Sequence, residues 1–261
     1  MRIATWNINS IRLRIAHVLR FIKEQNIDVI CLQETKTEDQ FFPKAELHNI
    51  GLIYSSFRGE KSYNGVAIFS KIPIKKQSYE LWCGFKDTRH ISIILENNIK
   101  IHNFYIPAGG DIPDVKLNVK FNHKINFLKE MIKYFNQTRP KRTILVGDLN
   151  IAPYENDVWS HKQLLNVVSH TPIETELLIK FMNDSNWIDV GRKYFSKDEK
   201  LYSWWSYRNR DWKKPNRGRR LDHIMVSKDL DSTLKLFLSC KEIRDWEKPS
   251  DHVPLILELS I

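Results

Sequence analysis

Polar side chains that could bind a metal ion or a phosphate follow apolar runs of this sequence in a repeated pattern. Asn7 follows RIATW, Glu34 follows IDVICLQ and Asp148 follows TILVG. The full set of such residues is Asn7, Glu34, Tyr105, Asp148, Asn150, Asp222, Asp251 and His252. Because buried strands converge at one edge of a packed sheet, where ligands commonly bind, we expect these side chains to lie close together.

Oxygen ligands dominate this set. Carboxylate and amide oxygens with a single imidazole suit Mg²⁺ or Mn²⁺, whereas Zn²⁺ prefers more nitrogen or sulfur. Such an ion indicates phosphate ester hydrolysis, which needs an activated water and neutralised phosphate oxygens. Each residue alone has a simpler interpretation, since G-D-x-N is usually a turn and Glu34 could cap a helix or pair with Lys36. Together, and with no positively charged residue among the expected site groups, they predict a site for a hard divalent cation.

Ser250, Asp251 and His252 precede the last apolar run, and a serine hydrolase is one interpretation of this triplet. Adjacent residues on an extended segment point to opposite sides, and the sequence contains no G-x-S-x-G turn. We therefore expect the terminal strand to carry Asp251 and His252 to a metal ion and a phosphate.

The chain of 261 residues has a formal net charge of +10 at pH 7, which favours an anionic partner such as nucleic acid or a membrane surface. The segment 202–220 holds seven basic residues and one acid, interleaved with Trp204, Trp205, Tyr207 and Trp212. Cations for phosphates beside aromatic faces for bases predict nucleic-acid binding, and a basic loop over core tryptophans is the simpler alternative.

Membrane and secretory features are missing from the sequence. No apolar run approaches the roughly 18 residues of a membrane span, and the N-terminal residues do not resemble a secretory signal. Three scattered cysteines, Cys31, Cys83 and Cys240, suggest neither disulfides nor a metal-binding pair, so we expect them to be small buried hydrophobic side chains. These features predict a cytoplasmic protein without a membrane partner, and we expect a monomer.

Extensive sheet is predicted by the apolar, β-branched runs RIATWNI, IDVICLQE, GVAIFS, HISIILE, IKIHNFYIP, TILVGDLN, RLDHIMVS, LKLFLSC and VPLILELSI. Helical spacing is clearest in the stripe Leu117, Phe121, Ile125, Leu128, Ile132 and Phe135, with further stripes in 11–22 and 177–181. No linker divides residues 1–261, so we expect one domain. Strands outnumber helices, which disfavours Rossmann and TIM arrangements and favours two sheets packed face to face with helices outside.

Six segments carry a resemblance to a known family: TWNINSIR, DVICLQETK, NFYIPAGG, ILVGDLNIAP, RGRRLDHIMVS and KPSDHVP. In this order they closely resemble the exonuclease III family of abasic-site DNA repair endonucleases, within the endonuclease/exonuclease/phosphatase superfamily, from Met1 to Ile261. The resemblance implies an α/β fold, a four-layered sandwich of two mixed sheets flanked by helices. It also implies hydrolysis of the phosphodiester 5′ to abasic sites in duplex DNA, with 3′-to-5′ exonuclease and 3′-phosphatase activity at the same centre. Blocked 3′ ends would be further substrates.

The resemblance assigns roles by position. It implies that Glu34 and Asn7 are the principal Mg²⁺ ligands, with Mn²⁺ as a possible substitute and Asp251 nearby. Asp148 would orient and deprotonate the attacking water, and Asn150 would hold the water or the phosphate.

His252 would contact a phosphate oxygen, with its imidazole oriented and kept cationic by Asp222, because an Asp partner raises the pKa of a histidine. Tyr105 would meet the phosphate or the leaving group. One ion or two both stay open, since Asp148, Asn150 and His252 could form a second ion site. His252 is then either a cationic donor or a neutral ligand.

DNA contacts implied by the resemblance are Trp204, Arg89, Arg208, Arg219 and Asn9. Trp204 would face an extruded nucleotide, and extrusion is least costly where no base must be unstacked. Ala108 stands where relatives often carry an amide side chain, and Arg219 where some relatives place a bulky apolar residue against the sugar. Two alternatives stay open: a superfamily phosphoesterase acting on phosphoinositides, and a binding module without catalysis.

Overall fold

The computed structural model describes residues 1–208 and 211–261, so Arg210 of the basic segment lies outside the described residues. The strands are β1 (Arg2–Asn7), β2 (Val29–Gln33), β3 (Tyr54–Glu60), β4 (Tyr63–Ser70), β5 (Ile74–Ser78), β6 (His90–Leu95), β7 (Lys100–Tyr105), β8 (Thr143–Asp148), β9 (Trp187–Asp189), β10 (Trp204–Trp205), β11 (Gly218–Arg219), β12 (Asp222–Ser227), β13 (Leu234–Ser239) and β14 (Leu255–Leu259). The helices are α1 (Ile11–Gln25), α2 (Lys44–His48), α3 (Val119–Thr138), α4 (His161–Leu164), α5 (Pro172–Asp184) and α6 (Val190–Tyr194). Within the described ranges, none of the helices is long and apolar enough to cross a membrane.

Two six-stranded sheets form the centre of the fold. The first sheet has the strand order β13-β14-β1-β2-β4-β3, and the second has the order β5-β6-β7-β8-β12-β9. Both are mixed, because β1 pairs in parallel with β2 and β7 with β8, whereas β14 and β12 run antiparallel to β1 and β8. Each apolar run named above forms a strand, and the predicted pair of mixed sheets is confirmed.

Alternation along the strands separates the core into layers. Ile3 of β1 packs between the two sheets with Val146 of β8, whereas Trp6 of β1 packs with Phe21 of α1 on the outer face. On the outer face of the second sheet, Phe181 of α5 joins a third apolar cluster with residues of α3. The layers therefore run helix, sheet, sheet, helix, which confirms the predicted four-layered sandwich.

Two expectations from the sequence are wrong in detail. Leu117 belongs to the predicted helical stripe, but it precedes α3 and is 77% exposed, because the side chain of Asn118 caps the helix. Cys83 is half-buried in a 3₁₀ turn, whereas Cys31 and Cys240 are buried as expected.

A glycine lets β8 lie close to β7 at the edge that carries polar residues. Gly147 has a φ of 140°, and a Cβ at this position would lie 1.9 Å from the carbonyl oxygen of Phe104. The register of the parallel pair sets Tyr105 beside Asp148, and Asp148 also pairs with Asp222 of β12. Three predicted site residues therefore lie at one level of the second sheet.

Buried amides join the two sheets near the same edge. Gln33 of β2 donates from Nε2 to Oδ1 of Asn103 in β7 at 2.6 Å. Asn103 donates in turn from Nδ2 to the carbonyl oxygens of Leu32 and Ala67, each at 3.0 Å. These bonds fix the first sheet relative to the second because buried polar groups must find partners.

A buried ion pair joins the helices that cover the second sheet. Lys124 of α3 and Glu174 of α5 contact each other, and both side chains are 0% exposed. Lys124 Nζ also donates to the carbonyl oxygens of Ala108 at 3.2 Å and Asn150 at 2.8 Å, while Glu174 accepts from the backbone N–H of Ser169. The pair therefore holds the loops that follow β7 and β8.

We expect Lys124→Met to lower the free energy of unfolding by about 3–5 kcal/mol, because Glu174 would stay buried without its cation. The matched control is Lys180→Met, which removes the exposed cation of the Lys180–Asp184 pair in α5 and should cost less than about 0.5 kcal/mol. Urea unfolding followed by circular dichroism measures both values. Equal losses in the two variants would contradict a stabilising role for the buried pair.

Candidate active site

Glu34, Asp148 and His252 come together where the edges of the two sheets meet. Each offers a ligand atom, and these atoms all lie within 4.8 Å of one another. Glu34 follows β2 of the first sheet, Asp148 ends β8 of the second, and His252 precedes β14. In residues 1–208 and 211–261 this is the one such group of three His, Cys, Asp or Glu side chains, and we call it the ligand group.

Asn7 links two members of the ligand group. Its Nδ2 donates to Glu34 Oε1 at 2.8 Å and to Asp148 Oδ2 at 2.9 Å, and its Oδ1 accepts from the backbone N–H of Asn9 at 3.1 Å. Asn7 is buried at the end of β1. This amide therefore holds carboxylates from different sheets close together despite their repulsion.

Asn150 holds Asp148 from the loop that follows β8. Its backbone N–H donates to Asp148 Oδ1 at 2.9 Å, and its Nδ2 donates to Asp148 Oδ2 at 3.2 Å and to the carbonyl oxygen of Ile106 at 3.0 Å. Asn150 has a φ of 54°, a conformation that asparagine adopts more readily than most residues. Burial raises the pKa of Asp148 against the opposing charge of His252, which makes this carboxylate a stronger base than an exposed one.

Asp222 orients His252. The Nδ1 of His252 lies 2.7 Å from Asp222 Oδ2, and its Nε2 faces Asp148 Oδ2 at 3.8 Å. Burial disfavours the charged imidazole, but the charges of Asp222 and Asp148 outweigh this effect and raise the pKa of His252. The imidazole is therefore protonated on Nδ1, and its cationic form is favoured. Its Nε2 points into the site.

Glu34 pairs with Lys36, so the site contains a positively charged residue that the expected site groups did not include. Lys36 Nζ lies 2.7 Å from Glu34 Oε2 and 2.7 Å from Asn9 Oδ1. Burial tends to raise the pKa of Glu34, but the Lys36 charge and the hydrogen bond from Asn7 outweigh it and lower this pKa. The E-x-K spacing carried the signal, because Glu34 and Lys36 both adopt positive φ and the turn brings their side chains together.

Asp251 and Asn9 hold Trp204 beside the ligand group. Asp251 Oδ2 accepts from Trp204 Nε1 at 2.9 Å, and its Oδ1 accepts from Asn9 Nδ2 at 3.1 Å. Burial opposes ionisation, but the charge of His252 and these hydrogen bonds lower the pKa of Asp251. Asp251 therefore stays ionised and, in this structure, its oxygens bind the indole and an amide outside the ligand group.

Tyr105 is held beside the carboxylates as a neutral phenol. Burial raises the pKa of Tyr105, and the charges of Glu34 and Asp148 raise it further. Arg89 stacks on the ring with Cζ 4.9 Å from its centre, and Arg89 Nη1 donates to the carbonyl oxygen of Tyr105 at 3.3 Å. Arg89 Nε donates to Asp87 at 2.7 Å. The phenol is therefore a donor with a fixed ring position.

An open cavity of about 570 Å³ lies beside the ligand group. Its walls include Glu34, Tyr105, Asn150, Trp159, Val168, Trp204, Arg208, Arg217, Arg219, Asp251 and His252. A neighbouring cavity of about 510 Å³ contains Arg89 and shares Ala108 and Gly110 with the first. The cavity beside the ligand group thus combines acidic ligands with three arginines that an anionic polymer could contact.

The charges of this centre fit a divalent cation. Four carboxylates face two cationic side chains, namely Glu34, Asp148, Asp222 and Asp251 against Lys36 and His252. Buried like charges repel strongly, so an added cation would lower the energy of the group. With His252 as a cation, the available donors are carboxylate oxygens, which suit Mg²⁺ or Mn²⁺ better than a softer metal.

Known proteins share both sequence and architecture with this chain. It is 30% identical over 272 residues to exodeoxyribonuclease III of Haemophilus influenzae, covering 99% of each chain. It superposes on an AP endonuclease from Archaeoglobus fulgidus with a TM-score of 0.93 at 32% identity. It also superposes on a 3′ phosphatase from Neisseria bound to a product DNA hairpin, with a TM-score of 0.92 at 27% identity. Both superpositions cover 100% of each chain.

The family model that matches the chain spans residues 4–252 and is described as the endonuclease/exonuclease/phosphatase family. This span includes every residue from Asn7 to His252 that the site uses. The resemblance read from the six sequence segments is therefore confirmed. The chain belongs to the endonuclease/exonuclease/phosphatase family, and its relatives there include exodeoxyribonuclease III and AP endonucleases.

Proposed function

We propose that this protein is a divalent-metal-dependent DNA repair nuclease that hydrolyses the phosphodiester 5′ to abasic sites in duplex DNA. We propose that the same centre has 3′-to-5′ exonuclease and 3′-phosphatase activity. The observation that carries the proposal is the meeting of Glu34, Asp148 and His252 within 4.8 Å beside an arginine-lined cavity. A relative that is an AP endonuclease and another that is a 3′ phosphatase share the fold.

Glu34 is the proposed principal ligand of Mg²⁺, with Mn²⁺ as a substitute, because its carboxylate is partly exposed to the cavity. A bound ion would supply positive charge for the non-bridging phosphate oxygens and the leaving oxygen. Asn7 and Asp251 are proposed as further ligands. Asn7 also accepts a hydrogen bond from Asn9, and Asp251 accepts one from Trp204, so both also hold neighbouring site residues in place.

Asp148 is the proposed general base. Its raised pKa suits the removal of a proton from water, and Asn150 fixes both of its oxygens. The attacking water would lie against Asp148, and its proton would pass to that carboxylate as its oxygen bonds to phosphorus. The bond from phosphorus to O3′ would break, and O3′ would take a proton. A second ion at Asp148, Asn150 and His252 would require a neutral His252, which could keep its Nδ1–H bond to Asp222.

His252 and Tyr105 are the proposed donors to the phosphate. His252 is oriented by Asp222 and directs Nε2 towards the ligand group, where a phosphate oxygen would accept its proton in a hydrogen bond. Tyr105 stays protonated and can donate to the phosphate or the leaving oxygen. Such fixed donors stabilise charge that develops on oxygen during phosphoryl transfer.

DNA would enter across the exposed arginines of the cavity. Arg208 is exposed and suits a backbone phosphate, while Arg89 is buried against Tyr105 and would act at the neighbouring cavity. Trp204 offers its indole beside the ligand group for stacking. Asn9 is the least available predicted contact, because its amide already binds Asp251 and Lys36.

We propose that residues 1–261 act as one catalytic domain, because the site takes Glu34 from the first sheet and Asp148 from the second. A monomer located in the cytoplasm stays a prediction from the sequence. Analytical ultracentrifugation of the purified chain would test its oligomeric state.

Cleavage of a labelled duplex with one abasic site is the direct test of the proposed function. With Mg²⁺ we expect a product that ends in a 3′-hydroxyl. With chelator we expect no product, because the site carboxylates repel an anionic phosphodiester unless a cation lies between them. Phosphoinositides incubated under the same conditions should release no phosphate. Phosphate release from the lipid without cutting of DNA would instead support the phosphoinositide alternative.

Asp148→Asn should lower the rate of cleavage by about 10²–10⁴-fold, because the amide cannot take a proton from water. Affinity for the abasic duplex should be retained, since the cavity arginines are untouched. Rapid-quench kinetics and fluorescence anisotropy measure the two properties. If the wild type and the variant both bind the duplex and neither cleaves it, the binding-module alternative is favoured.

His252→Ala should lower the rate by about 10²–10³-fold through loss of a fixed donor to the phosphate. The circular dichroism of the β-sheets should stay native. The apolar residues of β14 still pack in the core between the two sheets and in the cluster on the outer face of the first sheet. Single-turnover cleavage measured at saturating enzyme separates this effect from binding. Near-normal turnover would remove His252 from the chemistry.

A further inference from the structure

Arg219 places a guanidinium in the wall of the active-site cavity. It lies in β11 opposite Trp204 of β10, and its Cζ is 5.4 Å from the centre of the indole ring. Trp204 forms an isolated antiparallel bridge with His252 on its other side. Because neighbouring strands lie about 4.8 Å apart, the Arg219 backbone stands about 10 Å from that of His252. The side chains of all three residues line the same cavity.

Most donors of Arg219 are unused. Nη1 donates to the carbonyl oxygen of Val168 at 3.0 Å and to Ser169 Oγ at 2.8 Å. Nε is buried without a partner, and no carboxylate in the described part of the chain lies within 4.0 Å of the guanidinium. An arginine presents five N–H donors in a planar fork that matches a carboxylate. The cavity wall thus holds a fixed cation that lacks an anion.

The position of Arg219 separates it from the other arginines of the basic segment. Arg208 and Arg217 are exposed and suit phosphates that pass over the surface, whereas Arg219 is half-buried. A group must enter the cavity to reach it. A phosphate bound at the ligand group would direct one of its substituents into the cavity, towards Arg219. In an abasic site this substituent is a neutral sugar.

Building on the proposed function, we propose that Arg219 makes the enzyme selective for 3′ ends whose terminal phosphate carries a carboxylate-bearing fragment. The carboxylate would accept hydrogen bonds from the N–H groups of Nη2, since Nη1 is already used and Nε is buried. Water adds its oxygen to phosphorus, the bond from phosphorus to O3′ breaks, and O3′ takes a proton. The fragment leaves as a phosphate monoester, and no co-reactant besides water is needed.

Two 3′ ends of nearly equal size isolate the charge. One duplex carries a 3′-phosphoglycolate at a gap, and the other carries the uncharged hydroxyethyl phosphodiester in its place. We expect the wild type to hydrolyse the carboxylate end with a kcat/KM about tenfold to a hundredfold higher, as charge-assisted hydrogen bonds allow. Arg219→Leu should abolish this preference, and Arg219→Lys should retain part of it, because lysine keeps the charge without the fork.

Arg217→Leu is the matched control, because it removes an exposed arginine of the same cavity. It should weaken both ends together and leave their ratio intact. Fluorescence anisotropy in chelator measures affinity for the two ends without turnover and should show the same preference for the carboxylate.

Equal kcat/KM values for the two ends in the wild type would overturn the inference without any variant. A preference that persists in Arg219→Leu would overturn it as well. If the wild type cleaves neither end nor an abasic duplex, the proposed nuclease function fails. The ratio of affinities in chelator would then still decide whether Arg219 reads the carboxylate.

Discussion

Repulsion among buried carboxylates is the constraint on which the rest of this structure depends. Glu34 and Asp148 come from different sheets and would separate unless other groups held them. Asn7 binds both, Lys36 balances Glu34, and His252 faces Asp148. With Asp222 and Asp251 included, four carboxylates face these two cations, which leaves the centre with an excess of negative charge. A cluster of this kind is expensive for folding and useful for binding a divalent cation, and strain of this sort is typical of functional sites.

The scaffold is rigid where the site needs it. The terminal segment is fixed by two contacts to β1: Ser250 Oγ donates to the carbonyl oxygen of Asn7 at 2.7 Å, and Trp6 Nε1 donates to that of His252 at 3.0 Å. The polar triplet before the last strand is therefore neither an ordinary turn nor a serine nucleophile. Its serine holds the backbone, and its other two residues reach Trp204 and Asp148. Apolar burial of β14 supplies the stability that this placement requires.

The sequence allowed much of the fold and the outline of the site to be predicted, because apolar runs mark buried strands and polar residues mark their ends. Edge elements escaped this reasoning. The strand β5, with the sequence IKKQS, is mostly exposed and lies at the edge of its sheet, so it carries no apolar signal. The contact of Lys36 with Asn9 could not be predicted from the sequence either, since it depends on two turns that pack against each other. Leu117 shows the opposite error, because periodicity extended past the residue that caps the helix.

Charge runs are the least readable signal, as Arg219 and Arg220 demonstrate. Both belong to the same basic segment, yet successive residues of an extended chain point to opposite sides. Arg220 is buried and donates to Asp157 and Asp189 at 2.7–2.9 Å, which makes it part of the internal framework. Arg219 faces the cavity instead. The local excess of positive charge therefore overstates what DNA could contact, and the pleat of the chain decides which arginine serves stability and which can serve recognition.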